Sequence, residues 1–180
     1  MPLLPTSAVT ISVQGQQQIL DLLERTMRKD EADKATLQVF DEQSELLHLI
    51  AYKGFYPEFL EHFRTVKAFS GSACGRVIGI GNPVIISDVF LDAALEPHLE
   101  IIKAAGYRAV KALPIFSATC KKLGVLSTHF RNIKWSWDLQ SIEEEITAFA
   151  PVLSAITIHR NDELTKPSYQ RGYLQPVPSN

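Results

Sequence analysis

The stretch Ala109–Phe130, AVKALPIFSATCKKLGVLSTHF, decides the fold. Two apolar runs, Ala109–Phe116 and Leu123–Phe130, flank the polar segment Ser117–Lys122, the pattern of two neighbouring strands joined by a turn. Strand alternation puts Leu126, Thr128 and Phe130 on one face of the second run and Ser127 and His129 on the other. Gly124 inside that run marks either a bulge or a close approach of another backbone.

Working outward, Glu100–Ala105 reads as a helix stopped by Gly106. Before it, Gly81-Asn82-Pro83 launches a strand over Val84–Ser87 that ends at Asp88. Ser70–Gly75 is a turn leading into a short helix, Cys74–Gly79, and Pro57–Phe63 is another short helix. Ala35–Phe40 and Leu46–Tyr52 form a hairpin around Asp41–Glu45. Ile19, Leu20, Leu23 and Met27 recur at helical spacing in a first helix over 16–30. Ile142, Ile146, Phe149, Leu153 and Ile156 form the stripe of a last helix over 138–160, capped by Ser136 or Asp138. Pro151 removes the backbone bond to Thr147 and predicts a kink or break there. Strands at hairpin distances with helices at both ends give the α+β class, with a mainly antiparallel sheet of five or six strands.

The domain spans 16–160, preceded by an arm (1–15) without periodicity and followed by a polar, proline-bearing linker or tail (161–180). With 46% apolar residues and a formal net charge of −2, the chain can bury a core and offers no electrostatic reason to bind nucleic acid or an anionic membrane. The N-terminus lacks the basic and apolar regions of a signal peptide, and no apolar run approaches the length of a membrane span. Cys74 and Cys120 match no zinc or redox spacing, which fits a reducing, cytoplasmic compartment.

Five segments in order carry a resemblance: Gly71–Gly75, Asn82–Val89, Ala105–Val110, Leu113–Ile115 and Leu123–Phe130. Together they resemble the GAF domain family, regulatory modules of sensor kinases, phosphodiesterases and photoreceptors. The resemblance covers about 16–160 and implies terminal helices on one face of the sheet, with a loop-covered pocket on the other. It implies a non-catalytic module that senses a small molecule and acts through a homodimer on an output domain such as a histidine kinase. The dimer would pair the terminal helices through apolar positions such as Leu22, Val152 and Ala155.

The same resemblance places the ligand against segments 69–76, 88–102 and 126–130, with Phe69, Cys74, Asp88, His98, Thr128 and Phe130 as candidate contacts. Each has a plainer reading. Asp88 can cap the following turn, Cys74 can be a small buried residue, His98 can lie at the surface, and Phe69, Thr128 and Phe130 can be ordinary core. No histidine pairing supports a metal. Gly79-Ile80-Gly81 lacks the third glycine of a dinucleotide fingerprint, and Glu143-Glu144-Glu145 reads as a solvated run at a helix start. Asn132, Lys134 and Asp138 only partly match the cyclic-nucleotide signature of phosphodiesterase GAF domains.

Two alternatives stand beside the sensor. Free methionine sulfoxide reductases share the fold, and Cys74, Asp88-Val89 and His98 resemble their pattern. Their second thiol, however, falls where this chain has Leu99-Glu100-Ile101. The other alternative is a ligand-free dimerisation module whose pocket is filled by its own side chains. A bilin or haem finds no support, because the usual paired histidines and a persuasive axial ligand are missing.

Overall fold

The computed structural model describes residues 9–158; the tail at 161–180 and residues 1–8 of the arm lie outside them. Its centre is a six-stranded sheet. In chain order the strands are β2 (Lys34–Asp41), β3 (Leu46–Lys53), β4 (Thr65–Lys67), β5 (Val84–Ile86), β6 (Ala109–Phe116) and β7 (Lys122–Phe130), and in space they run β4-β3-β2-β7-β6-β5. Every adjacent pair is antiparallel. β4 is a short edge strand absent from the sequence reading; three residues are too few to show a period.

Helices α1 (Val13–Asp30) and α5 (Ile142–Ser154) cover one face of this sheet. Ile19 and Leu23 of α1 and Phe149 and Leu153 of α5 pack there against Leu37, Leu113 and Leu126. The other face carries α2 (Pro57–His62), α3 (Ala73–Ile80), two 3-10 turns (Val89–Leu91 and Ala93–His98) and α4 (Leu99–Ala105). Phe59, Val77, Leu95 and Ile102 from these elements meet Leu49, Val110 and Val125 of the sheet.

Both terminal helices differ from the sequence expectation at their ends. α1 begins three residues before Gln16, because Ser12 caps it by accepting a hydrogen bond from Gly15 N at 3.1 Å. Within the expected arm, β1 (Val9–Thr10) pairs with β8 (Thr157–Ile158), which joins the two ends of the domain. α5 starts at Ile142, since the Asp138 carboxylate closes a local turn onto Gln140 N at 2.9 Å instead of capping the helix. It passes Pro151 and stops at Ser154 rather than near 160, and Ile156 packs on the core from beyond the helix.

The acidic run at 143–145 is only two-thirds solvated. Glu145 is buried and binds Lys111 Nζ at 2.9 and 3.0 Å. Lys111, the third residue of β6, also reaches Asp30 Oδ1 at 2.7 Å, so one buried ammonium ties β6 to both terminal helices.

Candidate functional site

On the face away from α1 and α5 a small cavity of about 30 Å³ lies between the sheet and its cover. Alternation in three strands builds its floor. Thr36 and Gln38 of β2, Val110 of β6, and Ser127 and His129 of β7 point to this face, while their neighbours Leu37, Lys111 and Thr128 point to the helices. Phe59 and Phe63 close one side, and Ser72, Ala73 and Cys74 at the start of α3 close another. Ser72 holds that corner: its Oγ caps α3 by accepting from Gly75 N at 3.2 Å and lies 2.9 Å from Ser70 Oγ. Gly71 lets the loop reach the second 3-10 turn, since a Cβ there would stand 2.4 Å from the Ala94 carbonyl oxygen.

His129 is the least expected group in this wall. Its ring is edge-on to Phe55, Tyr107 and Phe59, with centroids 4.9, 4.7 and 6.3 Å away. Burial pushes its pKa down to about 3, so the imidazole is neutral. Its Nδ1 is buried and has no hydrogen-bond partner among the described residues. Burial also pushes the Cys74 thiol and the Tyr107 phenol up, which keeps both protonated. The cavity wall is therefore polar in places and uncharged throughout.

Of the six candidate contacts read from the sequence, Cys74 alone lines this cavity. The alternation of Thr128 and Phe130 holds, but their face is the helix face. Thr128 shares it with Leu126 and donates its hydroxyl to Asp30 Oδ2 at 2.8 Å. Phe130 packs edge-on to Trp137 at 5.3 Å under the Lys134 ammonium, beside a second cavity of about 120 Å³. Asp88 both caps and pairs: it accepts from Phe90 N at 3.1 Å and from Arg108 Nε at 3.0 Å, and those Arg108 bonds hold its pKa below the ordinary value. His98 sits one layer outside the cavity, its Nδ1 2.9 Å from His62 Nε2 and its ring 5.3 Å from Phe63. Phe69 is 71% exposed in a left-handed turn (φ 62°), with its ring against Gly79 on α3. The site residues that sequence reading did not single out are Gln38 and His129, polar side chains that strand alternation turns to this face together with Thr36 and Ser127.

Solved GAF domains share the fold. The GAF domain/HD domain protein from Geobacter sulfurreducens superposes with a TM-score of 0.61 at 16% identity, covering 78% of this chain and 92% of that one. The chain has a GAF fold. A second GAF domain, from Acinetobacter phosphoenolpyruvate-protein phosphotransferase, matches with a TM-score of 0.59 at 15% identity over 80% of this chain and 95% of that one. The GAF fold also links the chain to an enzyme, the type II free methionine-R-sulfoxide reductase from Thermoplasma acidophilum. That protein matches with a TM-score of 0.64 at 12% identity, over 81% of this chain and 96% of that one. No protein-family model and no curated protein sequence matches.

Proposed function

We propose that this GAF fold is a non-catalytic, small-molecule-sensing module of a signal-transduction system, acting in the cytoplasm through a homodimer. The observation that carries the reading is the uncharged cavity with a buried imidazole nitrogen left unpaired. An unsatisfied buried polar atom costs about 1–3 kcal/mol, so a molecule that supplies its hydrogen bond is favoured there. The site shares the sheet with the helices that would pass the signal on. Val110 lines the cavity, and the next residue, Lys111, binds both α1 and α5. A shift of β6 on ligand binding would thus be felt at the terminal helices, and through them by an output domain beyond Arg160. The Geobacter relative in structure combines a GAF domain with an HD domain, and a histidine kinase is the other output considered. Among the described residues no helix is long and apolar enough to cross a membrane.

The dimer reading rests on the outer face of α5, where Thr147, Ala148, Pro151, Ser154 and Ala155 are exposed and uncharged. Leu22 and Val152 already pack partly on the core, which leaves Ala155 as the exposed member of the expected contact set. Native mass spectrometry of freshly purified protein tests both parts. A two-chain species carrying a bound small molecule is expected; a bare monomer at micromolar concentration refutes both.

The reductase reading is disfavoured by thiol chemistry. The thiolate is the reactive form, and burial holds Cys74 protonated. The only other cysteine, Cys120, is exposed in the β6–β7 turn, and both thiols are free. Iodoacetamide is expected to label Cys120 at least about tenfold faster than Cys74 in the folded protein, and both alike in urea. Equal rates in the folded state, or thiol-dependent sulfoxide turnover lost in Cys74→Ser, would restore the enzyme.

A further inference from the structure

We propose that the cavity of this sensor selects an uncharged ligand that leads with a compact group able both to donate and to accept, such as a primary amide, seated on His129 Nδ1. The inference rests on the sensing role and names the chemistry of that same site.

Three observations converge on it. The first is charge. The polar side chains of the wall are Thr36, Gln38, Ser72, Cys74, Tyr107, Ser127 and His129, and none is ionised. An anion or ammonium placed there would shed its hydration with no ionised side chain in the wall to meet it, which a buried ion does not tolerate. The Lys34 ammonium, whose charge reaches His129, lies outside the wall over the Phe55 ring at 5.5 Å. The second is the hydrogen-bonding inventory. A neutral imidazole donates from one nitrogen and accepts at the other, and hydroxyls and a carboxamide do both. An amide, with its N–H and C=O side by side, can satisfy His129 Nδ1 in either tautomer while its other atom meets a hydroxyl.

The third is size. At about 30 Å³ the cavity has room for about two waters or a group of two to three heavy atoms. A larger molecule can keep only its polar head there, and its remainder must displace the cover. The element suited to move is α2, a six-residue helix with no side-chain cap at its start. It brings Phe59 to the wall, with Phe63 immediately after it, and its His62 meets His98 in a partly exposed hydrogen bond. Sheet and α3, by contrast, are pinned by the strand ladders and by the Ser72 cap.

Nitrogen-15 NMR of the histidine ring resonances in the full chain tests the selection. The neutral probes are formamide, acetamide and urea; the charged probes are formate, nitrate and methylammonium. The amides are expected to shift His129 Nδ1 saturably, and the charged probes to leave it unchanged at equal concentration. In a folded His129→Phe variant, acetamide monitored through Ser127 and Gln38 amide shifts should bind about tenfold more weakly, the loss of one buried hydrogen bond. Should that variant not fold, the ranking of the six probes on the unaltered chain decides. Saturable binding of formate, nitrate or methylammonium at His129, as tight as acetamide or tighter, overturns the neutral class but leaves the sensing role standing. No saturable shift from any probe, with no small molecule retained in native mass spectrometry, overturns both.

Discussion

Truncating Lys111 to alanine is expected to cost about 3–5 kcal/mol of stability, the penalty for removing one partner of a buried ion pair. Lys111 is 3% exposed and stands between Asp30 and Glu145, so its loss strands two carboxylates with only hydroxyls beside them, Thr128 on Asp30 and Ser141 on Glu145. In a domain of this size that loss lowers the melting temperature by about 10 °C. The effect should also depend on pH. Burial, and next to it the charge of Asp30, raises the pKa of Glu145 above 4.5, while hydrogen bonds from Lys111 and Ser141 pull it down. A carboxylate whose pKa is raised on folding binds its proton more tightly in the folded chain. Its ionisation therefore opposes folding, and stability falls as pH rises from 4.5 through the raised value. Removing Lys111 takes away the main force holding that value down, so the window moves to higher pH. Urea unfolding of Lys111→Ala should show a larger deficit at pH 7.5 than at pH 5, and Lys111→Ala with Glu145→Gln should recover part of it. A deficit below 1 kcal/mol, or one equal at the two pH values, refutes the ionic account.

Gly124→Ala should be nearly as damaging, at about 3 kcal/mol, although it adds one methyl group. A Cβ at Gly124 would lie 2.0 Å from the carbonyl oxygen of Gln38 and 3.2 Å from Leu153 Cδ1. The first contact is with backbone, which cannot swing aside as a side chain does. Gln38 belongs to the central strand β2, whose partners on both sides fix it. Two irregularities press on this point: β3 carries an extra residue, Ile50, between the partners of Leu37 and Gln38, and β7 carries Leu123 between the partners of Ile115 and Phe116. The methyl group therefore opens the β2–β7 ladder or pushes α5 away through Leu153. Because Gln38 also lines the cavity, amide exchange should rise along both β2 and β7 and reach Ser127 and His129. Unfolding at the concentration of denaturant found for the unaltered chain would show that the close approach is not needed.

Much of the fold was legible because it follows from period. The stripe Ile19, Leu23, Met27 and the stripe Phe149, Leu153 must each be buried, and the only apolar surface wide enough is a sheet face. The alternation of Leu126, Thr128 and Phe130 against Ser127 and His129 was likewise correct. The face of the cavity was not legible, because a period of two separates the faces of a strand without naming them. Leu126 went under α5, and Thr128 and Phe130 followed it, while Ser127 and His129 turned to the cavity. Helix ends were misplaced for a related reason. Asp138 and Ser12 are both good caps in sequence, and the packing of β1 on β8 and of α5 on the sheet decided which of them acts as one.

The sequence by itself therefore determined the α+β class, the antiparallel sheet and the helical stripes, because these depend on periods and turn residues within a few positions of each other. Tertiary structure alone decided that Lys111 would meet Asp30 and Glu145 across long stretches of chain, and that His129 would be stripped of water among Phe55, Phe59 and Tyr107. Charge compensation and desolvation depend on what surrounds a side chain in three dimensions. A lysine or a histidine in an apolar strand announces an exception without saying what resolves it.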